Sequence, residues 1–336
     1  MIPRLDIRFP LKRQWQYWFG KQYEPQGGEF LLNHARSGTI LALRASLPNG
    51  GRVGVVAYNC HTIANAVVNA GCTPVFVDVM DELMIDIESI PTNLDAIVVT
   101  NLFGIQNDIE AIRKHLPNAI IIVDNAHGYG LPAEGDFTIY SINQGKFPAL
   151  GEGGILTVNG DRLKVEGKID DLYKTLPKYS ILAQSKLFVQ MWVKAVAYSK
   201  ICYWFVRRSK KNANPKVHEQ VVLKQMAPGI RRLYRAWLPY AEDAIAVQQQ
   251  NAAIMSERMK ELGNECILGE NAFMLIARCE NPEELKDWFA ARGVETETHF
   301  KHAIDWAKEF GYVPGSCPKA EEMTRHLLMI PTYKRI

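Results

Sequence analysis

At 336 residues the chain is long enough to bury one large core and a second, smaller one. Its 47% apolar and 22% charged residues are ordinary for a folded protein; a formal charge of +3 and the lack of an aromatic-and-basic groove pattern exclude nucleic acid as an expected partner. Cys60, Cys72, Cys202, Cys266, Cys279 and Cys317 form no C-x-x-C pair and no ligand spacing with histidine, so no metal site is expected and a reducing compartment is the simpler setting. Met1–Gly20 carries charge throughout and no apolar core, so no secretory signal is expected and the expected location is cytoplasmic.

Taken in chain order, the first informative segment is ARSGTILALRA (35–45), a Ser-Gly-Thr turn opening an apolar helix. Free N–H groups and the helix dipole make such a turn an anion site, although plain N-capping explains it equally well. From about Val53 to Val158 short β-branched runs alternate with helical stretches. VGVVAY (53–58), PVFVDV (74–79), AIVVT (96–100), AIIIVD (119–124), FTIYSI (137–142) and ILTV (155–158) are expected strands; TIANAVVNAG (62–71) and DIEAIRKHL (108–116) are expected helices. Near-continuous apolar strands belong to a parallel sheet covered on both faces, which binds ligands at its carboxyl ends.

Asp124 ends one such strand, in VDNAH (123–127). A buried carboxylate there needs a partner; it either keeps a ring nitrogen protonated or caps a following helix. The next strand runs into SINQGKFPALGEGG (141–154), whose loop bears Lys146 before a glycine-rich turn. Lysines that form imines sit in partly desolvated sites, whereas an ordinary loop lysine is solvated. The position of Lys146 one strand after Asp124, with the Ser141 hydroxyl available to a phosphate oxygen, favours chemistry. Gly151, Gly153 and Gly154 are expected to let the returning chain pass close to a ligand.

Residues 160–250 read as mostly helical and include the apolar but lysine-punctuated segment 185–211. There Lys186, Gln190 and Lys194 form one polar stripe, and ICYWFVRRSKK ends in Arg207, Arg208, Lys210 and Lys211. The interior lysines argue against a membrane span. Either the helix packs in a dimer core or its aromatic face makes a peripheral membrane contact, with the basic end on anionic lipid. A long helix from roughly Ala241 to Leu262 leads to AFMLIARC (272–279), PEELKDWFAARG (282–293) and VETETHF (294–300), expected as strand, helix and strand. The expected fold is α/β: a large cofactor-binding domain over 1–240, with a mostly parallel sheet between helices, and a long helix plus small α+β domain over 241–336.

The ordered series SGT, VAYNCHTIANAVVNAGCTPVFVDV, LFGIQNDIEAI, IIIVDNAHGYG, YSINQGK, GEGGILTVN, GVETETHF and EFGYVPGSCPKAEEMTRHLLMIPTYKR resembles the DegT/StrS family of sugar aminotransferases. The resemblance spans roughly 30–160 and 240–336 and implies the fold-type I pyridoxal-phosphate architecture. It implies that Lys146 is the Schiff-base lysine, Asp124 the carboxylate on the pyridinium, and His127 a neighbour of the ring's phenolic oxygen. Ser141, Gly38 and Thr39 match phosphate-binding positions, and His299 matches a position near the substrate. Cys60 stands where an aromatic residue usually stacks on the cofactor, with His61 beside it to supply a flat face. The family's Gly-x-Asn-x-Arg segment, whose Asn reaches the partner subunit's phosphate, is altered: aligned on Met226, Leu223 stands for the Asn and Gln225 for the Arg. Phe147 stands where Asn is common. The implied activity moves an amino group from glutamate to a ketosugar, nucleotide-linked, in glycan or polysaccharide biosynthesis, by a homodimer. Two alternatives are a sugar dehydratase, which would carry His in place of Lys146, and a non-catalytic regulatory protein on the same scaffold.

Overall fold

The computed structural model describes residues 12–160, 163–197, 217–298 and 300–333. Strands β1 (Glu29–Leu32), β2 (Arg52–Val56), β3 (Thr73–Val77), β4 (Ala96–Thr100), β5 (Ile120–Asn125), β6 (Phe137–Ser141) and β7 (Gly154–Val158) form one sheet in the order β1-β7-β6-β5-β4-β2-β3. Neighbours from β3 through β2, β4 and β5 to β6 are parallel, whereas β7 is antiparallel to both β6 and β1. Six strands therefore share one direction and β7 alone opposes them. β8 (Glu265–Leu268), β9 (Met274–Arg278) and β10 (Leu327–Pro331) form a second, antiparallel sheet in the order β10-β9-β8.

The helices used below are α1 (Gln14–Phe19), α2 (Ala35–Ser46), α3 (His61–Asn69), α4 (Ile109–His115), α5 (Leu163–Thr175), α6 (Ile181–Ala197), α7 (Pro228–Trp237) and α8 (Ala241–Glu261). The continuous apolar strands have their explanation in the layering. In β4, Ala96 and Val98 join a core with Ile40 and Leu43 of α2 and Val67 of α3. Ile97 and Val99 point the other way, to Ile112 of α4 and to Phe273 and Met323. With apolar layers on both faces no position can be polar, so alternation disappears.

Most expected elements recur within two residues. β1, β8 and β10 carry no strand signal in the sequence: β1 is a four-residue edge strand, and β8 is half-exposed. Residues 294–298 of VETETHF form isolated bridges rather than a strand: Glu297 bridges Met329 of the small sheet, with Val294 and Thr296 buried.

In α6 the residues Gln184, Leu187 and Met191 are buried, and the Lys186–Gln190–Lys194 stripe is exposed as expected. Ile181, Leu182, Val189, Trp192 and Val193 are exposed as well. Residues 198–211 of the lysine-punctuated segment lie outside the described residues. Among the described residues no helix is long and apolar enough to cross a membrane.

Candidate active site

The chain leaves β2 for β3 on one side, then crosses back to β4 on the other. The carboxyl ends of β2 and β4 thus open a crevice where strand order reverses, the place where such sheets bind ligands. Loops after four strands converge there. β2 leads to Asn59 and Cys60, β4 ends at Thr100, β5 presents Asp124 and His127, and β6 presents Ser141, Asn143 and Lys146. The first turn of α2 supplies His34, Arg36 and Thr39, and together these residues line a cavity of about 190 Å³. A second cavity of about 370 Å³ shares Lys146 and is walled by Phe147, Trp237, Tyr240, Gln248 and Phe273. A larger depression of about 760 Å³ beside Trp288 holds no comparable set of strand-end groups.

Asp124 is 2% exposed, in register with Thr100 on β4 and Ile139 on β6. Its Oδ1 accepts the Ala126 N–H at 2.9 Å, and a turn follows, so it caps no helix. Burial pushes its carboxyl above the ordinary range; the Ala126 bond and a charge on Lys146 pull the other way. A cationic ring nitrogen is the partner that would keep such a carboxylate ionised.

His127 is buried between the rings of Phe103, 5.3 Å away, and Phe273, 5.1 Å away. The Phe103 N–H donates to its Nδ1 at 3.1 Å, which leaves the ring proton on Nε2. Nε2 lies 2.5 Å from Lys146 Nζ. Asn271, in the turn between β8 and β9, supports the arrangement by donating to the His127 carbonyl at 2.8 Å.

Cys60 faces the cavity, half-buried. Burial raises its pKa, but hydrogen bonds from His61 and Thr62 and the nearness of Lys146 outweigh that and lower the thiol to about 7. His61 itself does not line the 190 Å³ cavity; its ring meets Trp306 edge-on at 5.0 Å. Gly38 also lies outside the wall, packed on Leu156 and Ile139. His299 lies outside the described residues, although its neighbour Phe300 lines the cavity. The glycine-rich turn is tight against protein rather than ligand. A Cβ on Gly154 would fall 2.3 Å from the His34 carbonyl carbon, and one on Gly151 2.5 Å from Met191 Sδ.

Sequence reasoning missed His34, Arg36, Asn59, Thr100 and Asn143. Arg36 had a legible signal, standing three residues before Thr39 on one helix face. The residues present fit a pyridine ring carrying a phosphate. Asp124 suits the nitrogen, and Thr39 Oγ1 is buried without a hydrogen-bond partner on the anion-binding turn.

The fold is the fold-type I architecture of pyridoxal-phosphate-dependent aminotransferases. Residues 32–172, which hold Thr39, Cys60, Asp124, His127, Ser141 and Lys146, match the DegT/DnrJ/EryC1/StrS aminotransferase family, the family that the sequence resembles over that stretch. DesV from S. venezuelae, in complex with a ketimine intermediate, is 19% identical with a TM-score of 0.71, over 98% of this chain and 93% of that one. A variant of GDP-4-keto-6-deoxymannose-3-dehydratase with bound GDP-perosamine is 18% identical with a TM-score of 0.67, over 91% and 84%. A pleiotropic regulatory protein from Geobacillus stearothermophilus is 21% identical over 322 residues, 88% of this chain and 77% of that one.

Proposed function

We propose that the protein is a pyridoxal-phosphate-dependent aminotransferase that carries an amino group from glutamate to a keto group on a nucleotide-linked sugar. The contact between Lys146 Nζ and His127 Nε2, in one cavity with buried Asp124, carries the reading. When bound, the cofactor supplies an electron sink for the carbon that loses its proton. Asp124 would hold the ring nitrogen protonated. Lys146 would anchor the cofactor through its amine and would serve as the base that moves the proton. His127, oriented by the Phe103 N–H, would hold the lysine amine in place and lie close to the ring's oxygen. Thr39 and Ser141 would hold the phosphate. The second cavity, reached from the same lysine and walled by Trp237 and Tyr240, offers apolar faces to a sugar acceptor.

The GDP-perosamine bound to the dehydratase supports a nucleotide-linked substrate. The dehydratase alternative expects His where Lys146 stands. The regulatory alternative draws on the pleiotropic regulatory relative. One spectrum separates them: protein mixed with pyridoxal phosphate should show a visible-edge band that shifts when glutamate is added. A protein that acquires no band, or a band indifferent to glutamate, is not an aminotransferase using that donor.

The same reading takes 1–240 as the cofactor-binding domain and 241–336 as the long helix and small domain. It takes the working unit as a homodimer. The outward apolar residues of α6 are consistent with a covered face, against a partner subunit or, at 185–211, a membrane surface.

A further inference from the structure

Three buried polar atoms without a hydrogen-bond partner cluster at the start of α2: His34 Nδ1, Arg36 Nε and Thr39 Oγ1. All three residues line the Asp124–Lys146 cavity. Buried polar groups are almost always paired, so three orphans on one turn indicate a ligand that supplies the missing contacts. The helix runs twelve residues, and its amino-terminal N–H groups and dipole add to the same anion-attracting site. Thr39 is 1% exposed, which leaves its hydroxyl no solvent partner.

Charge narrows the choice. Burial first, and then Arg36, lower His34 to about 4, so its imidazole is neutral at physiological pH. Arg36 is the cation of the turn. Its ion pair with Glu219 is long, 3.7 Å, and the Glu219 side chain is 55% exposed, so solvent screens it. A permanently charged, planar donor fork in a polar cavity suits a phosphate monoester better than a neutral ligand. The segment that would otherwise carry such contacts is committed elsewhere. Leu223 is packed in the α2–α3 core, and Gln225 Nε2 donates to the Tyr173 carbonyl.

We infer that Arg36 binds the phosphate of the cofactor from within the same chain, with Thr39 donating its hydroxyl on the first turn of α2. The inference rests on the functional reading above for the identity of the phosphate's carrier. It makes Arg36 a binding residue, set by the i, i+3 spacing that puts it beside Thr39.

The test compares retention of pyridoxal phosphate and of pyridoxal by wild type, Arg36→Ala, Arg36→Lys and Glu219→Ala, using equilibrium dialysis and bound-cofactor absorbance. Arg36→Ala should weaken pyridoxal phosphate about ten- to a hundredfold, the effect of one lost charge-assisted hydrogen bond. Pyridoxal, which lacks the phosphate, should bind wild type and variant alike. Arg36→Lys should recover part of the loss, and Glu219→Ala should lose none. Unchanged melting by circular dichroism excludes unfolding as the cause. Equal retention by wild type and Arg36→Ala overturns the inference. So does a variant impaired only in its response to glutamate, since Arg36 would then hold the donor's carboxylate. If wild type takes no pyridoxal phosphate, the functional reading falls separately. Inorganic phosphate titrated by calorimetry then decides the anion seat: binding to wild type but not Arg36→Ala supports it, and no binding to wild type overturns it.

Discussion

At the scale of single residues, Lys146 and Asp124 carry the heaviest predictions. Lys146→Ala should lower amino transfer about a hundred- to ten-thousandfold, the range for losing a positioned base, while the circular dichroism spectrum stays unchanged. A turnover near wild type in that variant removes the lysine from the mechanism. Asp124→Asn should keep some cofactor yet lose about ten- to a thousandfold in rate, because an amide cannot hold a ring nitrogen protonated. Bound-cofactor absorbance with product assay checks both halves. Cys60 adds a pH dependence. Its thiol is depressed to about 7, so thiolate accumulates as pH rises through that value and is scarce below it. Alkylation at Cys60, followed by peptide mass spectrometry, should accelerate across that range. Among the groups that lower the thiol, His61 comes first, so His61→Ala should move the midpoint upward. These pairings explain what the sequence could reveal. Lys146 and Asp124 were legible because each follows an apolar strand whose carboxyl end must face the ligand edge. The direction of His61 was not legible, because its ring packs against Trp306, a residue distant in sequence.

At the scale of elements, strands covered on both faces announced themselves as β-branched runs, and helices by period. Four-residue strands did not: β1 and β8 are shorter than the window over which a pattern accumulates. β10 follows directly on a helix with all five residues buried, so neither alternation nor a turn marks its start. Helix α6 was legible as a helix with a lysine stripe, but not in what covers its other side. Val189→Asp combined with Val193→Asp places charge on that exposed apolar face. Sedimentation should show a dimer for wild type and a shift to monomer for the double variant, with helical content preserved. A variant that stays dimeric but loses co-sedimentation with anionic vesicles at low salt assigns the face to a membrane instead.

At the scale of the whole molecule, the cavity draws on residues from His34 to Phe300, so its assembly depends on most of the fold. Individual loops were readable, but their adjacency follows from the strand order, which no local pattern encodes. A ligand that binds only the assembled cavity stabilises the folded state by mass action. Saturating pyridoxal phosphate should therefore raise the Tm in differential scanning calorimetry, and Lys146→Ala should shrink that rise without abolishing it. No rise in wild type would mean that the cavity binds the cofactor weakly or not at all.

The lone reversed strand β7 has a consequence for the order of events at the ribosome. Asp124 and Lys146 are synthesised before residues 154–158, yet β1, which leads into the Arg36 turn, reaches β6 only through β7, with Glu29 opposite Thr157 and Phe137 opposite Val158. A nascent chain thus owns Lys146 before it owns the strand that brings the start of α2 alongside. Closing that long-range pairing is slow compared with forming local helices. Under the proposed function, cofactor capture is then expected late in maturation, and in a refolding experiment bound-cofactor absorbance should lag behind the recovery of helical signal.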